Sequence, residues 1–128
     1  MAKKITKKVL IIEDAKHVVM MLESRLRANG YEVISAYDGE QGLERAQKEK
    51  PDLIIMDIML PKLTGDEVCK KLKQDKELAT IPIIVLTALA RRQDIKLAEQ
   101  LGVDAYITKP FMPDVLLSKI GELIGKNS

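Results

Sequence analysis

Leu53-Ile54-Ile55-Met56-Asp57 is a run of four apolar residues with no alternation, closed by a carboxylate. A strand covered on both faces reads this way, and such strands belong to parallel sheets with helices on either side. Working outward, three more short apolar runs stop on a reactive side chain. Val9-Leu10-Ile11-Ile12 ends in Glu13-Asp14, Ile83-Ile84-Val85-Leu86 in Thr87, and Tyr106-Ile107-Thr108 in Lys109-Pro110. The fifth run, Tyr31 to Ala36, ends in nothing reactive. As parallel strands of one sheet, these runs bring three carboxylates, a hydroxyl and an ammonium to one edge.

The segments between the runs have the length and periodicity of crossover helices. The first opens at Asp14, places Val18, Leu22 and Leu26 on one face, and stops at Asn29-Gly30. Asp38 with Gln41 resembles a capping box for a second helix, which Pro51 cannot continue. Leu60-Pro61-Lys62-Leu63 reads as a loop, and Thr64 with Glu67 as the capping box of a third helix with Val68 and Leu72 buried. Ile95, Ala98 and Leu101 mark a fourth helix closed by Gly102. A fifth runs from about Pro113 with Leu116, Ile120 and Leu123 inward, and Gly121 within it predicts close packing or early fraying. The order is β-α five times over, an open doubly wound sheet. The flavodoxin-like strand order 2-1-3-4-5 puts strands 1 and 3 side by side at the switch point, with the unreactive second strand at the far edge.

A chain of 128 residues, 46% apolar and 31% charged, fits a single soluble domain over 1–128. Residues 1–7 read as a basic N-terminal tail and 125–128 as a frayed C-terminus. The net charge of +2 gives no ground for direct nucleic-acid binding. No apolar run approaches the ~20 residues that span a bilayer. The single Cys69 suits a cytoplasmic setting. His17 reads as a surface residue of the first helix, and Met20, Met21 and Met56 as core.

Crowding carboxylates is costly. Two unit charges ~4 Å apart repel by about 4 kcal/mol at an effective dielectric near 20. Asp14 alone would read as a helix N-cap. Glu13 beside it and Asp57 opposite argue instead for a divalent cation, and oxygen-only donors specify Mg²⁺ or Mn²⁺. One such ion cancels the formal −2 of three carboxylates and one ammonium. Asp57 can then attack phosphorus as a carboxylate nucleophile. Lys109 neutralises the equatorial oxygens, and Thr87 donates to one of them.

Taken together, Ile12-Glu13-Asp14, Asp57-Ile58-Met59-Leu60-Pro61 with Gly65, Leu86-Thr87-Ala88, and Gly102 through Phe111 resemble the receiver domain of bacterial two-component response regulators. The resemblance spans roughly Lys8 to Gly125. It implies a signalling domain, with only Mg²⁺-dependent self-phosphorylation and self-dephosphorylation as its own chemistry. Asp57 would be the phosphoacceptor from a sensor histidine kinase or phosphotransfer protein. Asp14 and Asp57 would be direct Mg²⁺ ligands, Glu13 a ligand through water, and the Met59 backbone carbonyl the last protein ligand. It also implies a switch in which Thr87 moves toward the phosphoryl group and Tyr106 rotates inward. Without it, Tyr106 reads as a half-buried strand residue with its hydroxyl at the surface.

Two departures from the family pattern carry expectations. Ala105 and Val115 stand where members that dimerise through the fourth helix, fifth strand and fifth helix usually have acidic residues. The face around Ala105, Tyr106 and Val115 is therefore expected to take a helix of a downstream protein or output domain. Met59 and Leu89, two residues beyond Asp57 and Thr87, are apolar and predict slow self-dephosphorylation. Three other readings fit less well. A dehalogenase-type phosphatase needs an acid where Met59 stands, and a flavodoxin would not place Glu13-Asp14 against a phosphate. A bare interaction scaffold has no use for the five site residues.

Overall fold

In the computed structural model, which describes residues 6–125, the apolar runs are strands and the amphipathic segments helices. The strands are β1 (Lys8–Ile12), β2 (Glu32–Ala36), β3 (Leu53–Met56), β4 (Ile83–Thr87) and β5 (Ala105–Thr108). They alternate with α1 (Lys16–Ala28), α2 (Gly39–Glu49), α3 (Gly65–Gln74), α4 (Arg92–Gln100) and α5 (Pro113–Ile124). All pairings are parallel and the order is β2-β1-β3-β4-β5. The sheet is thus the expected flavodoxin-like one, with β1 and β3 adjacent.

Strand pleating sends alternate residues to two cores. Leu10, Ile12, Ile54, Met56, Ile83 and Val85 pack with Val68, Cys69 and Leu72 of α3. Val9, Ile11, Ile55, Ile84 and Leu86 pack with Leu22 and Leu26 of α1 and with Leu116 and Ile120 of α5. Burying each such side chain contributes about 1.5–3 kcal/mol, so the register of β1, β3 and β4 is strongly specified. β5 differs, since none of its four residues is fully buried.

Several helix boundaries depart from the sequence reading. α1 starts at Lys16 with Ala15 as its N-cap and no side-chain cap. Asp14 therefore lies outside the helix, exposed on the turn, and the N-cap role is excluded. On α1 the buried residue of the first turn and a half is Val19, with Val18 only partly covered. Strand β2 begins at Glu32 rather than Tyr31. Asp38 caps α2 by accepting from the Gln41 N–H at 2.8 Å, but Gln41 returns its bond to Tyr37 N–H rather than to Asp38. In α3, Glu67 does reach back to the Thr64 N–H and hydroxyl. α5 does not fray at Gly121 but continues to Ile124. Of the expected tails, 1–5 and 126–128 lie outside the described residues. Lys7 and Gly125 are held, the first accepting at its carbonyl from Glu32 N–H at 2.9 Å, the second from the Tyr31 hydroxyl at 3.3 Å.

Candidate functional site

The carboxyl ends of β1, β3, β4 and β5 meet at one edge, where the reactive residues lie. Glu13 follows β1, and its N–H donates to the Ala36 carbonyl of β2, which extends the ladder by one residue. Asp57 follows β3 in the same way, donating to the Ile12 carbonyl. Both carboxylates are buried, at 3% and 7% exposure. The Lys109 ammonium sits between them, 2.5 Å from Glu13 Oε1 and 2.9 Å from Asp57 Oδ2. The Lys109 backbone N–H donates to the Thr87 carbonyl at 2.8 Å, and its bond to Pro110 is cis. The second Asp57 oxygen, Oδ1, accepts from the Met59 N–H at 3.0 Å, so both oxygens of this carboxylate are oriented.

One ammonium does not balance two buried carboxylates. Burial pushes the Glu13 carboxyl above its ordinary range, and its bonds from Lys109 and Ala15 N–H offset this only in part. Burial works against the Lys109 charge as well, but its bonds to Glu13 and Asp57 outweigh it, and its pKa lies above the ordinary lysine value. The cluster therefore keeps a negative surplus, to which the exposed Asp14 adds at the rim. Among the described residues no three carboxylate, His or Cys side chains close into a ligand cluster by themselves. Lys109 bridges Glu13 and Asp57, and Asp14 is exposed on the turn after β1. The donor set still suits a hard cation. It is all oxygen, it carries excess negative charge, and among the described residues nothing donates to the Met59 carbonyl.

Gly65 explains the close approach of α3. A Cβ there would lie 2.6 Å from both the Asp57 carbonyl oxygen and Ile58 Cα. Its N–H also donates to the Ile58 carbonyl at 2.9 Å, which fixes the backbone that carries Asp57 and Met59. Met59 itself is 59% exposed at the mouth of the site.

Thr87 is fully buried at the end of β4. Its hydroxyl accepts weakly from the Leu89 N–H at 3.4 Å, and the Leu89 carbonyl accepts from the Tyr106 hydroxyl at 2.7 Å. The Tyr106 hydroxyl is thus bonded into the β4–α4 loop rather than free at the surface. Val115 is 53% exposed and Ala105 partly covered on the neighbouring face. Two features went unread in the sequence. A cleft of about 420 Å³, lined by His17, Val18, Met21, Lys109, Pro110 and Phe111, opens beside the lysine. An ion pair, Arg91 to Asp94, stands at the start of α4, and its i, i+3 spacing was the available signal.

The family model described as a response regulator receiver domain matches residues 9–121. The alkaline phosphatase synthesis transcriptional regulatory protein PhoP of Bacillus subtilis is 44% identical over 121 residues, covering 94% of this chain and 50% of that protein. A probable transcriptional regulator, ycf27 of Cyanophora paradoxa, is 42% identical, covering 92% of this chain and 48% of its own length. The chain spans about half the length of the curated relatives it matches. Among solved structures, a putative response regulator from Chloroflexus aurantiacus superposes with a TM-score of 0.89 at 34% identity, covering 95% of this chain and all of its own. The receiver domain of sensor histidine kinase PA1611 from Pseudomonas aeruginosa does so with a TM-score of 0.87 at 31% identity, covering 95% and 100%. That structure has magnesium coordinated in its active-site cleft.

Proposed function

Because this chain belongs to the response regulator receiver family, whose members are phosphoacceptor signalling domains, we propose that Asp57 accepts the phosphoryl group and that Thr87 and Tyr106 read it out. The observation that carries this is the Asp57 carboxylate itself: buried at a strand end, oriented at both oxygens, and paired with a lysine that must also serve Glu13. The donor is the phosphohistidine of a sensor kinase or phosphotransfer protein. An Asp57 oxygen forms the new O–P bond as the N–P bond of the donor breaks, and the departing imidazole takes a proton from solvent. Lys109, already 2.9 Å from Asp57 Oδ2, is placed to hold a phosphoryl oxygen, and the Met59 N–H keeps the carboxylate from rotating.

The residues that would hold Mg²⁺ are Asp14 and Asp57 directly, Glu13 through water, and the Met59 carbonyl. The ion would supply the positive charge that the cluster lacks and that a phosphoryl dianion requires. Mn²⁺ meets the same donors. Self-phosphorylation from small donors and self-dephosphorylation are the only reactions the chain itself would run, and its setting would be the cytoplasm.

The signal would leave through the β4–α4 loop. Leu89 is bonded to both Thr87 and Tyr106, so a movement of the Thr87 hydroxyl is passed through Leu89 to the Tyr106 hydroxyl. The face around Ala105, Tyr106 and Val115 would then engage a helix of a downstream protein or output domain. A phosphorylation-dependent dimer centred on Ala105 and Val115, seen by scattering, would count against that partner. The test of the site is labelling with a small phosphodonor. Wild type should gain a Mg²⁺-dependent, hydroxylamine-sensitive phosphoryl adduct and Asp57→Ala none. Equal labelling of both would refute the assignment.

A further inference from the structure

α4 begins unlike α2 and α3. α2 has the Asp38 carboxylate on a backbone N–H, and α3 has the Thr64–Glu67 box. The N-cap of α4 is Arg91, whose side chain makes no cap bond. Instead the Arg91 guanidinium forks onto one carboxylate, Nε to Asp94 Oδ2 at 2.9 Å and Nη2 to Asp94 Oδ1 at 3.1 Å. This two-pronged geometry fixes both side chains and ties the residue before the helix to its first turn. Little else anchors α4, since Ala98 is its one buried residue.

The tie also lies beside the switch. Arg91 is two residues from Leu89, the residue bonded to Thr87 and to Tyr106. The loop thus has three attachments: the Thr87 hydroxyl, the Tyr106 hydroxyl, and the ion pair. A phosphoryl group on Asp57 would act on the first and, through Leu89, favour the second. The third is untouched by it and sets the starting point.

We propose that the Arg91–Asp94 ion pair is a clasp on the β4–α4 loop that holds the Leu89 carbonyl under the Tyr106 hydroxyl and so biases the unphosphorylated chain toward the inward, bonded Tyr106. The inference rests on Thr87 and Tyr106 being the switch, but its test does not require phosphorylation. The clasp acts as a fixed contribution to the two-state equilibrium of the loop, and phosphorylation adds to it.

Fluorotyrosine incorporation and ¹⁹F NMR report the Tyr106 environment, with Tyr31 and Tyr37 assigned by Tyr→Phe variants. The samples are the unphosphorylated chain as wild type, Arg91→Gln, Asp94→Asn and the double variant. An exposed pair of this kind shifts an equilibrium by about two- to five-fold. Each single variant should therefore lower the bonded-to-free ratio of Tyr106 by about that factor. The double variant should lower it no further, and 1 M salt should mimic the variants in wild type only.

An unchanged ratio in Arg91→Gln overturns the proposal, as do additive effects. So does a shift in Asp94→Asn alone, which would assign the effect to the helix dipole. Arg91→Gln leaves Asp94 beside that dipole, so it decides the matter even if Asp94→Asn loosens the whole helix. A chain whose Asp57 takes no phosphoryl group would sink the functional reading and leave this result readable.

Discussion

The strand-end cluster and the β4–α4 loop lie at the same edge of the sheet, yet they are built on opposite principles. Glu13 and Asp57 follow strands that are buried almost throughout, and α3 packs so closely behind Asp57 that only glycine fits at position 65. The loop runs from a buried Thr87 into a helix with one buried residue and borders a strand with none. Its attachments are single hydrogen bonds and one exposed ion pair. Chemistry that needs fixed geometry sits where packing over-determines the backbone, and the part that must move sits where opening is cheap.

That contrast is broken or sharpened most strongly at Lys109. Lys109→Ala should slow uptake from a small phosphodonor by about 100-fold, the scale of losing one well-placed donor to a developing charge. It should also lower the melting temperature, because two buried carboxylates lose their shared cation. Asp57→Asn leaves one carboxylate with one lysine and should melt no lower than wild type. Labelling rates and thermal melts check both, and a wild-type rate in Lys109→Ala would contradict the role given to it.

Next in size is the lifetime of the phosphoryl group. With Met59 and Leu89 both apolar, decay of the isolated phosphoprotein should take many minutes or longer. Decay within seconds would show that water reaches the site more freely than these side chains allow.

Packing separates the two regions by a smaller margin. Gly65→Ala should destabilise the chain by about 1–3 kcal/mol through the forced shift of residues 57–58, and slow labelling in proportion. In α4, Leu97→Ala should stay within about 0.5 kcal/mol, since Leu97 is 44% exposed. Denaturant melts of the pair would reverse the comparison if Leu97 proved the more costly.

The pH response is gentler still. The folded Glu13 carboxyl lies above 4.5, so between that value and its folded one the folded chain binds more protons than the unfolded. Its contribution to stability is fully present below 4.5 and is lost as pH rises through the folded value. Glu13→Gln should flatten the stability curve across that window. Lys109, raised above 10.5, contributes stability below that value that is lost only as pH climbs past its folded one. The smallest effect belongs to Thr87→Ala. Its bond from Leu89 N–H is long, so stability should fall by less than about 1 kcal/mol while amide exchange in the loop quickens.

The sequence made the first region readable and the second only partly so. Unalternating Ile and Val runs can hardly be anything but buried strands, and the side chains that close them were placed at one edge by topology alone. Asp14 was less plain, because a carboxylate before a helix alone reads as a cap; the start of α1 at Lys16, with Ala15 as N-cap, excludes that role. The closeness of α3 to Asp57 left only a glycine in the sequence, with no sign of what it touches. Leu89 was harder again. It joins Thr87 to Tyr106 through its own N–H and carbonyl, which every residue has, so its side chain gave no hint of this role.

The most direct measurement is residue-resolved amide exchange of wild type and Asp57→Asn, with Mg²⁺, with and without a small phosphodonor. In wild type the donor should change protection in 87–95 and 104–108 while 53–56 stays as it was, and in Asp57→Asn nothing should change. Changes of equal size in Asp57→Asn, or changes in wild type that spare 87–95 and 104–108, would contradict the account.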